Sequence, residues 1–137
     1  MGCSPACPSG WAPDPARAGR IAELSAVDAP ICFGESESGV RPDGLMLLDR
    51  RWSDPALAAR AAHLALHEPL QPGPDCLQRA IAQEGRARMA ELELRRSLGV
   101  SEPALAWAHL ESAGAIEDWL TRHPDPAVDG YRARCED

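Results

Sequence analysis

Residues 45–68 read LMLLDRRWSDPALAARAAHLALHE, and this stretch decides the fold because it places a strand directly before a helix. Its apolar first part predicts a buried strand. Ser53 is a favoured N-cap residue and Pro55 is favoured in the first turn of a helix, so a helix is predicted to begin here. The helix is predicted to continue to His67 or Glu68, where a series of prolines ends it.

The flanking sequence adds further elements on both sides. We predict a helix over 14–27, a strand over 31–33, a second strand over 44–49, a long helix over 75–98, a helix over 101–123 and a short turn around Tyr131. The two strands form a small β-hairpin or lie side by side, and three to four helices pack on them. Residues 1–15 are rich in Pro, Gly, Ser and Cys and predict a flexible tail, which leaves 16–137 as a single domain. The predicted fold class is therefore α+β.

Composition argues against several classes of partner. The chain has 137 residues, and its 14 basic residues are all arginine against 21 acidic ones, for a formal net charge of −7. An acidic chain without lysine is a poor candidate for binding nucleic acid or an anionic membrane surface, because both require positive charge. It also lacks the lysine of a phosphate-binding loop. No apolar run is long enough for a transmembrane segment. The partner we expect is an unknown protein.

Five cysteines are more than a cytoplasmic domain of this size needs, and no two of them have the C-x-x-C spacing of a zinc ribbon. Gly2-Cys3-Ser4 resembles the end of a bacterial lipobox, which would make Cys3 a lipid anchor of an exported protein if a signal peptide precedes it. The remaining four form an even set that allows three disulfide pairings. They are Cys7, Cys32, Cys76 and Cys135. The alternative is a cytoplasmic protein with five thiols.

The candidate site begins with two histidines on the predicted helix. His63 and His67 lie four residues apart, so both rings project from one face at a spacing that lets two imidazoles share a zinc ion. On the long helix that follows, Glu84 and Glu91 lie on an otherwise apolar stripe, where a carboxylate needs a cation or a hydrogen-bonding partner. We therefore predict a zinc site formed by the two histidines and either Glu84 or Glu91. The alternative is that the histidines are incidental and the glutamates pair with arginines of the same helix.

This order of elements resembles a known family. A strand over 45–49, a helix carrying H-x-x-x-H and a second helix supplying a glutamate are similar to the core of the zincin metallopeptidases, in particular the compact gluzincins of the ImmA/IrrE group. The resemblance covers about residues 31–98. It implies a minimal zincin-like core that can bind zinc and a relationship to the metallopeptidases.

The catalytic glutamate of that family is missing. In H-E-x-x-H the glutamate after the first histidine activates the zinc-bound water, and this chain has Leu64 there. Loss of such a base costs about 10²–10⁴-fold in rate. We therefore expect a degenerate zincin without peptidase activity that acts in binding or scaffolding. Two alternatives stay open: a metal-free helical module for protein–protein interaction, and a zinc-dependent hydrolase that uses another base.

Overall fold

The structure, a computed structural model, describes residues 6–136. This part of the chain contains five helices and one three-stranded sheet, which confirms the predicted α+β class, with more helices than the three to four expected. In chain order the elements are α1 (Pro15–Ser25), β1 (Ile31–Gly34), β2 (Gly39–Val40), β3 (Met46–Asp49), α2 (Asp54–Leu64), α3 (Cys76–Leu98), α4 (Ala113–Arg122) and α5 (Pro126–Cys135). None of these helices has both the length and the apolar character that crossing a membrane requires.

The sheet is mixed, with β3 in the middle. β1 runs parallel to β3, with Ile31 opposite Met46, and β2 runs antiparallel to β3, with Val40 opposite Met46. The hairpin is therefore formed by β2 and β3, whereas the strand predicted over 31–33 lies beside β3 in the parallel sense. The sequence does not predict the short β2, because Gly39 and Val40 lie in a polar loop without an alternating apolar pattern.

The buried apolar residues form two clusters, and α3 contributes to both. The first cluster joins α1, the sheet and α2, and its members are Ile21, Ile31, Phe33, Met46, Leu48, Leu57, Ala58, Ala61 and Leu64. The second joins α3, α4, α5 and the segment before α4, and its members are Leu92, Trp107, Ile116, Leu120 and Val128. Leu94 and Leu98 of α3 pack against the first cluster, and Met89 packs against the second. α3 therefore connects the two cores.

Three residues of the predicted tail, Cys7, Trp11 and Ala12, contact β1. Ala12 and Phe33 exchange two backbone hydrogen bonds of 2.9 and 2.8 Å. The Trp11 ring covers Gly34 so closely that a Cβ there would come within 2.5 Å of it, and only glycine fits this position. The N-terminal segment is thus attached to the edge of the sheet.

Four cysteines form two disulfides. Cys7 is bonded to Cys32 and Cys76 to Cys135, with sequence separations of 25 and 59. The first disulfide ties the N-terminal segment to β1, and the second ties the start of α3 to the end of α5. Of the three pairings that the sequence leaves open, the structure contains this one. Cys3, the predicted lipid anchor, lies outside the described residues.

The helix predicted to end at His67 or beyond is shorter than expected. α2 ends at Leu64. Past this residue, Leu66 N and His67 N donate to carbonyls three residues back, which is the tighter 3₁₀ pattern. Pro69 disfavours helical backbone at the residue before it, so the α-helix has no room to continue. His67 therefore lies in a tight turn that extends α2.

The predicted helix over 101–123 is wrong in its first half. Residues 101–112 are irregular, and α4 begins only after them, where the Ser112 hydroxyl accepts a hydrogen bond from a first-turn N–H. Carbonyls of the irregular segment accept hydrogen bonds from Arg95 and Arg96 of α3 in place of helical N–H groups. The short turn predicted at the C-terminus is instead the full helix α5.

Candidate metal centre

The candidate site lies where α2 packs against α3. On α2, the small residue Ala59 precedes His63 by four positions, and both are buried. On α3, Ala87 lies between Glu84 and Glu91, and all three are buried. Small side chains on facing helices allow a close approach, so the polar groups between them come within bonding distance.

Three potential ligand residues converge at this interface. His63 Nε2 lies 3.0 Å from His67 Nε2 and 3.2 Å from Glu84 Oε2, and His67 Nε2 lies 3.1 Å from Glu84 Oε1. The two histidines approach different oxygens of Glu84, and one ligand atom from each of the three residues lies within 4.8 Å of the others. Ligand atoms placed tetrahedrally around zinc at about 2.0–2.1 Å are about 3.3 Å apart, so this grouping is compatible with a shared ion. The structure thus brings together three of the four predicted ligands.

Glu91, the fourth predicted ligand, contacts the other nitrogen of His63. Glu91 Oε1 accepts hydrogen bonds from His63 Nδ1 at 2.7 Å and from Arg60 Nε at 2.9 Å. The Arg60 guanidinium is itself held over the Trp52 ring at 4.7 Å. An ionised carboxylate only accepts hydrogen bonds, so His63 Nδ1 carries a proton. In a neutral ring the free lone pair is then on Nε2, which faces His67 and Glu84. Glu91 is therefore placed to orient His63, as carboxylates beside metal-bound imidazoles do.

Glu84 is held from its other side by residues of α3 and α5. Tyr131 Oη donates to Glu84 Oε1 at 2.7 Å, and Arg88 Nε donates to Glu84 Oε2 at 2.7 Å. The two terminal nitrogens of Arg88 donate to the two oxygens of Asp125 at 2.9 Å each. The Arg88 guanidinium also lies over the Trp107 ring at 5.1 Å. Each carboxylate oxygen of Glu84 therefore has one protein donor in addition to its histidine neighbour.

His67 is the most exposed of the three candidate ligands. The side chain of His67 is 24% exposed, whereas those of His63 and Glu84 are 7% and 2% exposed. A metal ion would therefore enter past His67.

Burial and neighbouring charges shift the pKa values of His63, Glu84 and Glu91 in opposite directions. Burial lowers the pKa of His63, but hydrogen bonds and charge from Glu84 and Glu91 outweigh it and raise that pKa above its ordinary value. Burial raises the pKa of each glutamate, but histidine and arginine neighbours outweigh it and hold both pKa values below the ordinary range. The pKa of Tyr131 is raised by burial and by Glu84, so its hydroxyl remains a donor. The site thus places ionised carboxylates against an imidazole of increased basicity.

Three residues of the site are not predicted from the sequence. Asp125 and Tyr131 lie 37 and 47 residues from their partners on α3, and no local pattern relates them to the site. Arg60 does carry a signal, because it lies three residues before His63 on the same face of α2. This spacing could have identified Arg60 as a partner of a carboxylate on the facing helix.

Leu64 occupies the position of the catalytic glutamate in the zincin motif. Its side chain is buried in the first apolar cluster. The nearby Glu68 is exposed, and its backbone N–H donates to Gln83 Oε1. Neither position supplies a base beside the converging ligand atoms.

Comparison of this chain with known protein families, with curated proteins and with solved structures gives no match. The likeness to the zincins stays a prediction based on element order and one motif.

Proposed function

We propose that this protein is a zinc-binding domain in which His63, His67 and Glu84 hold the ion. The observation that supports the proposal is the convergence of these three residues, whose potential ligand atoms, one from each, lie within 4.8 Å of one another. The other nitrogen of His63 is already committed to Glu91, which leaves Nε2 for the metal. Two imidazoles and one carboxylate form a donor set suited to zinc, and three protein ligands leave a fourth position for water or a group from a partner.

The proposed role of the domain is binding or scaffolding, and its proposed origin is a zincin that has lost peptidase activity. Zinc would supply Lewis-acid character at its fourth position when bound. Leu64 supports the loss of activity, because an apolar side chain packed into the core cannot activate water. The ion would also link the end of α2 to the middle of α3, which would stabilise the interface on which the site is built.

Zinc content is the direct test of this proposal. Protein carrying Cys3→Ser, so that the N-terminal thiol cannot bind metal, is loaded with zinc, desalted and analysed. We expect one zinc per chain in this background, and loss of zinc in the His63→Ala/His67→Ala variant. The matched control is His109→Ala/His123→Ala, which removes the two exposed histidines and should leave the zinc content unchanged. Absence of zinc from the background protein would overturn the proposal.

A second candidate function is a metal-free helical interaction module. The observation in its favour is that a protonated His63 can donate to both Glu84 and Glu91, which gives each carboxylate a charged partner without a metal. The same zinc analysis separates the two, since the module would contain no stoichiometric zinc and its melting temperature would not respond to a chelator.

We also propose that the protein is exported. Two disulfides favour an oxidising compartment, and the lipobox-like Gly2-Cys3-Ser4 is compatible with a lipid anchor. Mass spectrometry of protein alkylated in cells before lysis tests this proposal. Blocked Cys7, Cys32, Cys76 and Cys135 thiols in place of disulfides would contradict it.

A further inference from the structure

The C-terminal helix α5 makes direct contact with the proposed metal ligand Glu84. Tyr131, in the middle of α5, donates its hydroxyl hydrogen to Glu84 Oε1 at 2.7 Å. The Tyr131 ring is buried, with 5% of its surface exposed. A glutamate side chain has three rotatable bonds, so a donor at one oxygen restricts how its carboxylate is presented to a metal.

α5 also reaches the second oxygen of Glu84, through one intermediate residue. Asp125 caps the start of α5 by accepting a hydrogen bond from Ala127 N, and it accepts two more from Arg88. Arg88 Nε donates to Glu84 Oε2. Because Asp125 engages both terminal nitrogens of Arg88, only Nε points at Glu84. Arg88 therefore orients the Glu84 carboxylate through Nε alone, because its two terminal nitrogens are held by Asp125.

The Cys76–Cys135 disulfide closes residues 76–135, which include α3 and α5, into a covalent ring. Cys76 begins α3 eight residues before Glu84, and Cys135 ends α5 four residues after Tyr131. Glu84, Arg88, Asp125 and Tyr131 all lie between the two cysteines. The disulfide therefore keeps α5 attached to the helix that carries the ligand.

We propose that α5 is the positioning element of the metal centre: Tyr131 directly, and Asp125 through Arg88, hold the Glu84 carboxylate against His63 and His67. This inference rests on the proposed zinc site and adds the residues that determine its affinity. Removal of a group that orients a metal ligand lowers metal affinity by about 10–100-fold. α5 lies outside the span 31–98 that carries the zincin resemblance, so that resemblance does not imply this role.

The test compares metal binding by Tyr131→Phe and by an equally placed control. Phenylalanine keeps the buried ring and removes only the donor to Glu84. Arg134 lies over the same ring at 5.3 Å but does not contact Glu84, so Arg134→Met is the matched control. Zinc affinity is measured by competition with a chromophoric chelator in the Cys3→Ser background. We expect the dissociation constant to rise about 10–100-fold in Tyr131→Phe and to stay unchanged in Arg134→Met.

Cobalt(II) gives a second readout that a merely structural role would not change. Its visible absorption bands report the coordination geometry, and we expect Tyr131→Phe to alter them while Arg134→Met reproduces the bands of the background protein. Asp125→Asn and the double variant Cys76→Ser/Cys135→Ser should weaken zinc binding in the same direction as Tyr131→Phe.

The possible results separate this inference from the proposed function. If the background protein binds zinc but Tyr131→Phe has the same affinity and the same cobalt spectrum, the inference fails and the zinc site stands. If the background protein binds neither zinc nor cobalt, the proposed function fails and the inference fails with it.

Discussion

His63 Nδ1 donates a hydrogen bond to Glu91 Oε1 at 2.7 Å, and this contact joins α2 to α3 across 28 residues of sequence. It commits the Nδ1 side of the ring to a buried carboxylate and leaves Nε2 facing His67 and Glu84. Glu91 is one of the two carboxylates that the sequence offers as a third ligand, and its geometry favours an orienting role. Glu84 takes the place beside both histidines.

The orienting role of Glu91 predicts a defined loss of affinity. Glu91→Gln keeps the shape of the side chain but removes the charge that strengthens its hydrogen bond to His63. We expect zinc affinity to fall about 10–100-fold, measured by chelator competition. The control is Glu93→Gln, an exposed position two residues further along α3, which should bind zinc as the parent does. Equal affinities for the two variants would show that Glu91 does not orient the ligand.

Restoring the zincin motif should not restore a peptidase. Leu64→Glu creates H-E-x-x-H, but Leu64 lies in the first apolar cluster. We expect a loss of about 3–5 kcal/mol in the free energy of unfolding, because the new charge is buried without a partner. Leu66→Glu, at a position that is 46% exposed, is the control and should change stability little. Peptide hydrolysis by folded Leu64→Glu that requires His63 and His67 would contradict the placement of this residue.

The two disulfides should differ in how much they stabilise the fold. In the chain-entropy description, a disulfide closing about 60 residues contributes roughly 4 kcal/mol, and one closing about 26 residues roughly 3.5 kcal/mol. We therefore expect Cys76→Ser/Cys135→Ser to cost slightly more stability than Cys7→Ser/Cys32→Ser in chemical denaturation. Peptide mapping without reduction checks the pairing, and a peptide that links Cys7 to Cys76 would contradict it.

Local signals predict the start of α2 and the end of α3 correctly. Ser53 and Pro55 mark the start of α2, and Gly99 ends α3 with a left-handed backbone (φ 70°). These signals act within one turn of helix, so they can be read from neighbouring residues.

The features that the sequence does not predict depend on partners far along the chain. An apolar strand pattern does not specify its neighbour, so the parallel pairing of β1 with β3 is not visible in it. Residues 101–112 have the composition of a helix, but Arg95 and Arg96 bond their carbonyls and hold them in an irregular path. For the same reason the sequence around Glu84 gives no signal for Tyr131 or for Asp125, the N-cap of α5.

The ion pairs of Asp54 should make the free energy of unfolding depend on pH. Its carboxylate accepts hydrogen bonds from Arg17 Nε at 2.6 Å and Arg20 Nε at 2.8 Å. Burial raises the pKa of Asp54, but the two guanidinium groups outweigh it and hold that pKa below its ordinary value. Because the pKa of Asp54 is lower in the folded state, its ion pairs stabilise the fold fully at pH values above the unfolded-state pKa of about 3.9. This stabilisation is lost as the pH falls through the folded-state pKa.

We therefore expect Asp54→Asn to be less stable than the parent by about 1 kcal/mol at neutral pH. The difference should shrink as the pH falls below about 4. Urea denaturation at several pH values measures it. Asp118→Asn, in an exposed pair with Arg122, serves as the control and should show a difference near zero throughout. A difference for Asp54→Asn that grows on acidification would contradict the assignment of the ion pairs.

The central claim is that His63, His67 and Glu84 bind zinc, and thermal unfolding in the presence of zinc tests it most directly. Free zinc at a hundred times the dissociation constant stabilises a folded site by about 2.7 kcal/mol. At roughly 3 °C per kcal/mol for a chain of this length, the melting temperature of the Cys3→Ser protein should rise by about 8 °C relative to chelator. The His109→Ala/His123→Ala variant should show the same rise, and His63→Ala/His67→Ala should show none. Equal melting temperatures in zinc and in chelator for the Cys3→Ser protein would contradict the account.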